Sequence, residues 1–137
     1  MIGRTHFFTL ALCFLVARAG WAAEARTVYD VVDHPIAASA QKLSLSEIEK
    51  NIIRAGAKRN WVFEEIGPGQ LKATQTSGKR HATVDVTYSQ KSYSITLAES
   101  TGMGQQGRQI AGNYHIWVSN LTKDIDGELV SASRAGG

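Results

Sequence analysis

The chain has 137 residues, of which 43% are hydrophobic and 20% are charged, and its formal net charge is +3. This length suits one domain, which can bury about two thirds of the surface that its unfolded chain exposes. The single cysteine, Cys13, lies near the N-terminus, so the rest of the chain is excluded from disulfide, thiolate and Cys-ligated metal chemistry.

Residues 1–22 have the pattern of a secretory signal peptide. Arg4 precedes a short apolar run over residues 7–16, and small residues follow it. The run is shorter than the about 20 residues that a transmembrane helix needs, so no membrane span is predicted. We expect cleavage after Ala22, with Ala25 as the second candidate, and therefore a periplasmic location.

Cleavage would change the charge of the protein. Arg4 and Arg18 would leave with the signal, and the remaining chain would hold 13 basic and 12 acidic residues, a net charge of +1. The positive charge of the full chain is therefore no sign of nucleic-acid binding, and no nucleic-acid partner is expected.

Residues 23–43 are predicted to form an extended leader with a turn at Pro35, and residues 44–130 a single α+β domain. The domain should open with a helix, because Ser44 and Glu47 have the spacing of a capping box. Apolar residues then recur on one helical face. These residues are Leu45, Ile48, Ile52 and Ala55.

After Asn60 the apolar pattern changes from helical spacing to alternation, which predicts four strands over residues 61–66, 71–76, 81–88 and 92–99. Short turns separate the strands, so neighbours should pair antiparallel. One face should be polar and the other apolar. From the turns, we predict that a row of paired residues crosses the polar face. The row runs Glu64, Lys72, Asp85, Thr96, and His81 lies on the same face.

The last helix is predicted from the strongest apolar stripe in the chain. The stripe consists of Ile110, Tyr114, Trp117, Val118, Leu121, Ile125 and Leu129. Gly127 should weaken its last turn, and residues 131–137 should form a disordered tail. The predicted fold is thus α+β, a four-stranded antiparallel meander with an N-terminal and a C-terminal helix packed on one face.

Several short motifs occur together from Val28 onward. They are Asp33-x-Pro35-Ile36, Ile52-Ile53-Arg54-Ala55-Gly56, Gly67-Pro68-Gly69, His81-Ala82-x-Val84-Asp85-Val86-x-Tyr88, Tyr93-Ser94-Ile95-Thr96 and Asn113-Tyr114-x-x-Trp117-Val118-x-x-Leu121. In this series the chain resembles a family of small exported proteobacterial periplasmic proteins and lipoproteins of uncharacterised function. The resemblance implies export and a single domain, and it implies no activity.

The segment before the last helix is rich in glycine. Its glycines match the spacing of a dinucleotide fingerprint, but the preceding sheet is antiparallel and no second βαβ strand follows, so no cofactor is predicted. With a basic residue at a helix start, the loop has the chemistry to hold a small anion instead. The alternative is a plain flexible connector. The candidate anion-binding residues are Gly102, Gly104, Gly107 and Arg108, and we expect residues 100–109 to be the most mobile part of the domain.

No catalytic signature occurs in the sequence, and no catalytic residue or metal site is predicted. His81 and Asp85 share a strand face, but four residues of strand separate them by roughly 13 Å, which is too far for a hydrogen-bonded dyad. His34 and His115 add no metal-ligand spacing.

These observations favour a small soluble periplasmic protein that acts as a non-enzymatic binding or accessory module of the cell envelope. Its partner would be an envelope protein or an anionic envelope ligand, and its oligomeric state is left open. The alternative is a small hydrolase or lyase that uses the polar sheet face around His81 and Asp85. An open polar face would favour binding, whereas a pocket that joins His81 or His115 to a carboxylate would favour the enzyme.

We predict that the mature protein begins at Ala23, or at Arg26 if the second site is cleaved, because both cuts follow a small residue just beyond the apolar run. The intact mass of the exported protein measures this directly. A retained Met1 or an added lipid mass would contradict it.

Overall fold

The computed structural model describes residues 25–135, so the predicted signal peptide over residues 1–22 and the last two residues lie outside it. Within this range the chain forms seven strands and two α-helices, with a short 3-10 helix at Ala38–Ala40. In chain order they are β1 Ala25–Thr27, β2 Val31–Pro35, α1 Leu45–Ala57, β3 Val62–Gly67, β4 Gln70–Ser77, β5 Arg80–Tyr88, β6 Ser92–Thr101, β7 Gln109–Ala111 and α2 Asn113–Ala135. The fold class is α+β, as predicted.

The main sheet is antiparallel and has five strands in the order β2, β6, β5, β4, β3. The predicted four-stranded meander is therefore wrong in strand number, because the predicted leader supplies a fifth strand. Val31 of β2 pairs with Ile95 of β6 and is buried. β1 and β7 form a separate two-stranded sheet.

The predicted leader over residues 23–43 also belongs to the packed domain in the part that the structure describes. Val28, Val31, Ile36 and Ala40 are all buried in the core. Alternation is weak here because β2 has an irregular register between Val31 and His34, and Asp33 adopts a left-handed backbone with φ of 48°. A prediction based on regular spacing therefore misses the strand.

The predicted register of the meander is confirmed. Glu64 pairs with Lys72, Lys72 with Asp85, and Asp85 with Thr96, which gives the predicted row across the polar face. The turn pairings that fix the row are also present, since Thr76 lies opposite His81 and Tyr88 opposite Tyr93.

α1 begins where the capping box predicts. The Ser44 hydroxyl accepts a hydrogen bond from the Glu47 amide at 3.1 Å, and the Glu47 carboxylate accepts one from the Ser44 amide at 3.1 Å. These bonds satisfy two of the amides that a helix start leaves free. Ile48, Ile52 and Ala55 are buried, as the apolar face predicts.

α2 corrects the sequence prediction at both ends. Ile110 is buried but lies in β7, and the helix starts at Asn113. The predicted disordered tail is helical from Ser131 to Ala135, and residues 136–137 lie outside the described range. Ser133 is buried, and its hydroxyl donates a hydrogen bond to the Val130 carbonyl at 2.6 Å and lies 3.3 Å from the Ser39 hydroxyl. Packing against the 3-10 helix thus outweighs the weak helix propensity of this end.

Both helices contribute to one core with the apolar side of the sheet. The Tyr93 hydroxyl on β6 donates a hydrogen bond to the Asp126 carboxylate at 2.7 Å and lies 3.2 Å from the Thr122 carbonyl, and both of these groups are on α2. Near the end of α1, Gly56 packs under the ring of Phe63 on β3. No helix of the described part is long and apolar enough to cross a membrane.

We predict opposite effects for alanine at two helical glycines. Gly56→Ala should lower the free energy of unfolding by about 1–3 kcal/mol, because its Cβ would overlap the Phe63 ring. Gly127→Ala, in open space on α2, should raise it by about 0.5–1 kcal/mol through better helix propensity. Urea unfolding measures both, and equal effects of the two substitutions would contradict the packing of α1 on β3.

Candidate functional site

The polar face of the sheet centres on Lys72. Its ammonium donates a hydrogen bond to the Asp85 carboxylate at 3.0 Å, and Glu99 and Glu64 lie near enough to act on it as well. The bond to Asp85 and the charges of these three carboxylates raise the pKa of Lys72 above its ordinary value. The centre of the face therefore holds three acidic groups and one basic group, which does not suit an anionic ligand.

Two further pairs of side chains on this face are hydrogen-bonded to each other. The hydroxyls of Thr74 and Thr83 are hydrogen-bonded at 2.9 Å, and the Thr76 hydroxyl meets His81 Nδ1 at 3.0 Å. Asp85 and His81 thus bond to different neighbours, to Lys72 and Thr76 respectively. The structure places both on the predicted face but does not bring them together.

The glycine-rich segment differs from its predicted setting. Arg108 does not lie at a helix start, because β7 separates it from α2. Its guanidinium donates hydrogen bonds to the Asp30 carboxylate at 2.7 Å and to the Val28 carbonyl at 3.2 Å. The charge that was expected to attract an anion is therefore already paired with an acidic residue of the N-terminal segment.

Two residues of the same segment have structural roles. Gly102 has φ of 69°, and a Cβ there would overlap the Lys79 carbonyl, so the close approach of two backbones requires glycine. Met103 is buried, and the Ala111 amide donates to its carbonyl at 3.0 Å. Gly104 and Gly107 also have positive φ, of 60° and 59°, but no neighbour restricts them. The mobility of residues 100–109 stays a prediction.

A hydrogen-bonded cluster that the sequence did not reveal joins β2, β6 and α2. Its members are His34, Tyr93 and Asp126. His34 Nε2 lies 2.8 Å from Asp126 Oδ2, and the Tyr93 hydroxyl donates to the other oxygen of the same carboxylate at 2.7 Å. Burial and the bond to Asp126 raise the pKa of Tyr93 well above its ordinary range. This cluster ties the edge of the sheet to α2. His115 instead stacks on Tyr29, with ring centroids 4.6 Å apart.

A second feature missed by the sequence is a cleft of about 490 Å³ between the start of α1 and the turn that joins β3 to β4. Glu49 of α1, Glu65 of β3 and Tyr88 of β5 line it, and we call it the acidic cleft. A hydrogen bond to Glu49 and the charge of Glu49 raise the pKa of Glu65 above its ordinary value. Glu49 lies at helical spacing from Leu45 and Ile52, which is the one sequence signal that it faces the sheet.

Tyr88 forms the inner wall of the acidic cleft. Tyr88 is only 7% exposed, and its buried hydroxyl has no hydrogen-bond partner among residues 25–135. Burial raises the pKa of Tyr88 to about 12, and the neighbouring Glu49 adds to the rise. The phenol is therefore neutral at physiological pH and keeps its proton to donate.

No group of three or more histidine, cysteine or acidic side chains in residues 25–135 is placed to hold a metal ion. No family model, curated protein or solved structure matches the chain. The resemblance to a family of exported proteins therefore stays a prediction.

We predict that Glu65→Gln raises the unfolding temperature near neutral pH and leaves it unchanged at about pH 3. A carboxyl whose pKa is raised on folding stabilises the fold while it is protonated, and this contribution is lost as the pH rises through the raised pKa. Glutamine removes the repulsion from Glu49 at neutral pH and resembles the protonated acid at low pH. Thermal unfolding at the two pH values measures the difference.

Glu64→Gln is the matched control, because Glu64 precedes Glu65 on β3 but lies beside Lys72 on the polar face. It should not raise the unfolding temperature at neutral pH. A rise of similar size in both variants would show a general charge effect rather than a repelling pair.

Proposed function

We propose that the protein is a non-enzymatic binding module of the cell envelope and that the polar face of its sheet contacts a protein partner. The signal-peptide pattern of residues 1–22 supports export to the periplasm. The observation that carries the proposal is that Lys72 and Asp85, at the centre of this face, pair with each other rather than with a reacting group.

The shape of the face supports contact with a protein. Alternation places short hydroxyl side chains on it, together with the 71%-exposed Val62. These side chains are Thr74, Thr83, Thr87, Ser94 and Thr96. Short side chains lose little conformational freedom on binding, and the hydroxyls can donate or accept hydrogen bonds.

The covering of the other face supports the same proposal. Phe63 and Tyr93 lie on the apolar side of the sheet, and they contact α1 and α2 respectively. We infer that both helices cover this side and leave the polar side open. The charges around Lys72 favour a partner with basic groups over an anionic envelope ligand.

No observation favours the alternative of a hydrolase or lyase at His81 and Asp85. A general base must lie within hydrogen-bond reach of the proton that it takes, and it gains from a group that orients it. His81 bonds to a threonine, and Asp85 bonds to a lysine. The two side chains therefore give no converging acid and base.

The test is site-specific photo-crosslinking in intact cells, with benzoylphenylalanine in place of the exposed Thr87 on the polar face. We expect one discrete protein adduct in the periplasmic fraction. The matched control carries the same group in place of the exposed Lys123 on α2 and should give no such adduct. Thr96→Arg, which adds a long charged side chain to the face, should reduce the Thr87 adduct at least several-fold.

Thermal unfolding must first show that Thr96→Arg still folds. An adduct that forms equally from Thr87 and Lys123, or one that Thr96→Arg leaves unchanged, would contradict a specific contact through this face. Absence of any adduct when the same group replaces Thr74, Thr83, Ser94 or Thr96 on this face would contradict the proposal as well.

A further inference from the structure

The acidic cleft brings together two carboxyl groups from distant parts of the chain. Glu49 lies on α1 and Glu65 on β3, and both side chains line the same cleft. None of the described residues that line the cleft is lysine, arginine or histidine. The pair therefore has no basic partner in the cleft, in contrast to Asp85 on the polar face, which bonds to Lys72.

Tyr88 gives an independent sign that the cleft takes a ligand. Its hydroxyl is buried and unpartnered at the inner wall, although a buried hydroxyl normally finds a hydrogen-bond partner. Glu49 lies near enough to act on this hydroxyl, and Tyr88, Glu49 and Glu65 all line the same cleft. A ligand that donates hydrogen bonds and carries positive charge would satisfy all three groups.

The walls of the cleft indicate the size and polarity of that ligand. Leu45, Ile66 and Pro68 supply apolar surface, and the volume of about 490 Å³ lies in the range of small-molecule sites. A hard divalent cation such as calcium takes about six to eight oxygen ligands, whereas two carboxylates and a phenol offer at most about five. An alkyl chain that ends in an ammonium group fits both the apolar walls and the acidic pair.

We propose that the acidic cleft binds an alkylammonium group, with Glu49 and Glu65 holding the charge, Tyr88 accepting a third N–H, and the apolar walls contacting the alkyl chain. The group has two possible sources, a free aliphatic diamine and the side chain of a lysine residue. Glu65 lies on the opposite side of β3 from Glu64, so this site does not depend on the proposed contact through the polar face.

The test is a titration of the mature protein followed by amide chemical shifts, at near-physiological ionic strength. The probes are 1,5-diaminopentane, Nα-acetyl-lysine amide, the uncharged isostere 1,5-pentanediol, and calcium. We expect a charged amine to give saturable shifts that centre on the amides of residues 45–46, 66–67 and 69, and pentanediol to give none. A stronger effect of the diamine would identify the free amine as the source, and a stronger effect of the lysine amide would identify a lysine side chain.

Variants then test the assigned residues. Glu49→Gln and Glu65→Gln should each weaken amine binding by roughly tenfold or more, because each removes a charge-assisted hydrogen bond. Tyr88→Phe should weaken it several-fold. Glu64→Gln is the matched control and should leave the affinity unchanged.

Four outcomes would overturn the proposal. They are saturation by calcium without saturation by either amine, equal shifts with pentanediol, equal weakening by Glu64→Gln and Glu65→Gln, and no saturable shift with any probe. Failure here would leave the photo-crosslinking result at Thr87 unaffected, so the two proposals are separable.

Discussion

The fold depends on the register of β5 between β4 and β6. Val84 and Val86 are buried on one side of β5, while Asp85 bonds to Lys72 on the other. A slip of one residue would expose both valines, at a cost of about 1.5–3 kcal/mol each, and would drive Asp85 into the core without a partner. The apolar core and the polar row therefore select the same pairing, and every position of the polar face follows from it.

This register was predictable because it is local. Short turns join the strands of the meander, and a turn fixes which residues lie opposite each other. β2 was not predictable in the same way, because its partner β6 lies far along the chain and its own pattern is broken at Asp33. The end of α2 was missed for a related reason. Ser131 and Ser133 favour helix weakly, and the burial of Ser133 against the 3-10 helix is visible only in three dimensions.

The two candidate surfaces also differ in how far the sequence predicts them. The row through Lys72 follows from strand pairing, so the sequence was enough to predict it. The acidic cleft requires α1 to pack against β3, which brings Glu49 to Glu65 across a contact that no spacing rule describes. For Arg108 the sequence predicted a site that the structure does not form. Its position after a glycine-rich segment predicted a free charge at a helix start, whereas β7 intervenes and the N-terminal segment supplies Asp30 as its partner.

The electrostatics of these surfaces point to different roles for their charges. On the polar face, the pairing of Lys72 with Asp85 offsets like-charge repulsion and helps to hold the register. In the acidic cleft, no basic side chain of the described range compensates Glu49 and Glu65, and the interaction with Glu49 raises the pKa of Glu65. This uncompensated acidic pair is what the proposed alkylammonium ligand would neutralise. Because Glu64 and Glu65 project to opposite sides of β3, one edge strand connects the proposed protein contact to the proposed cation site.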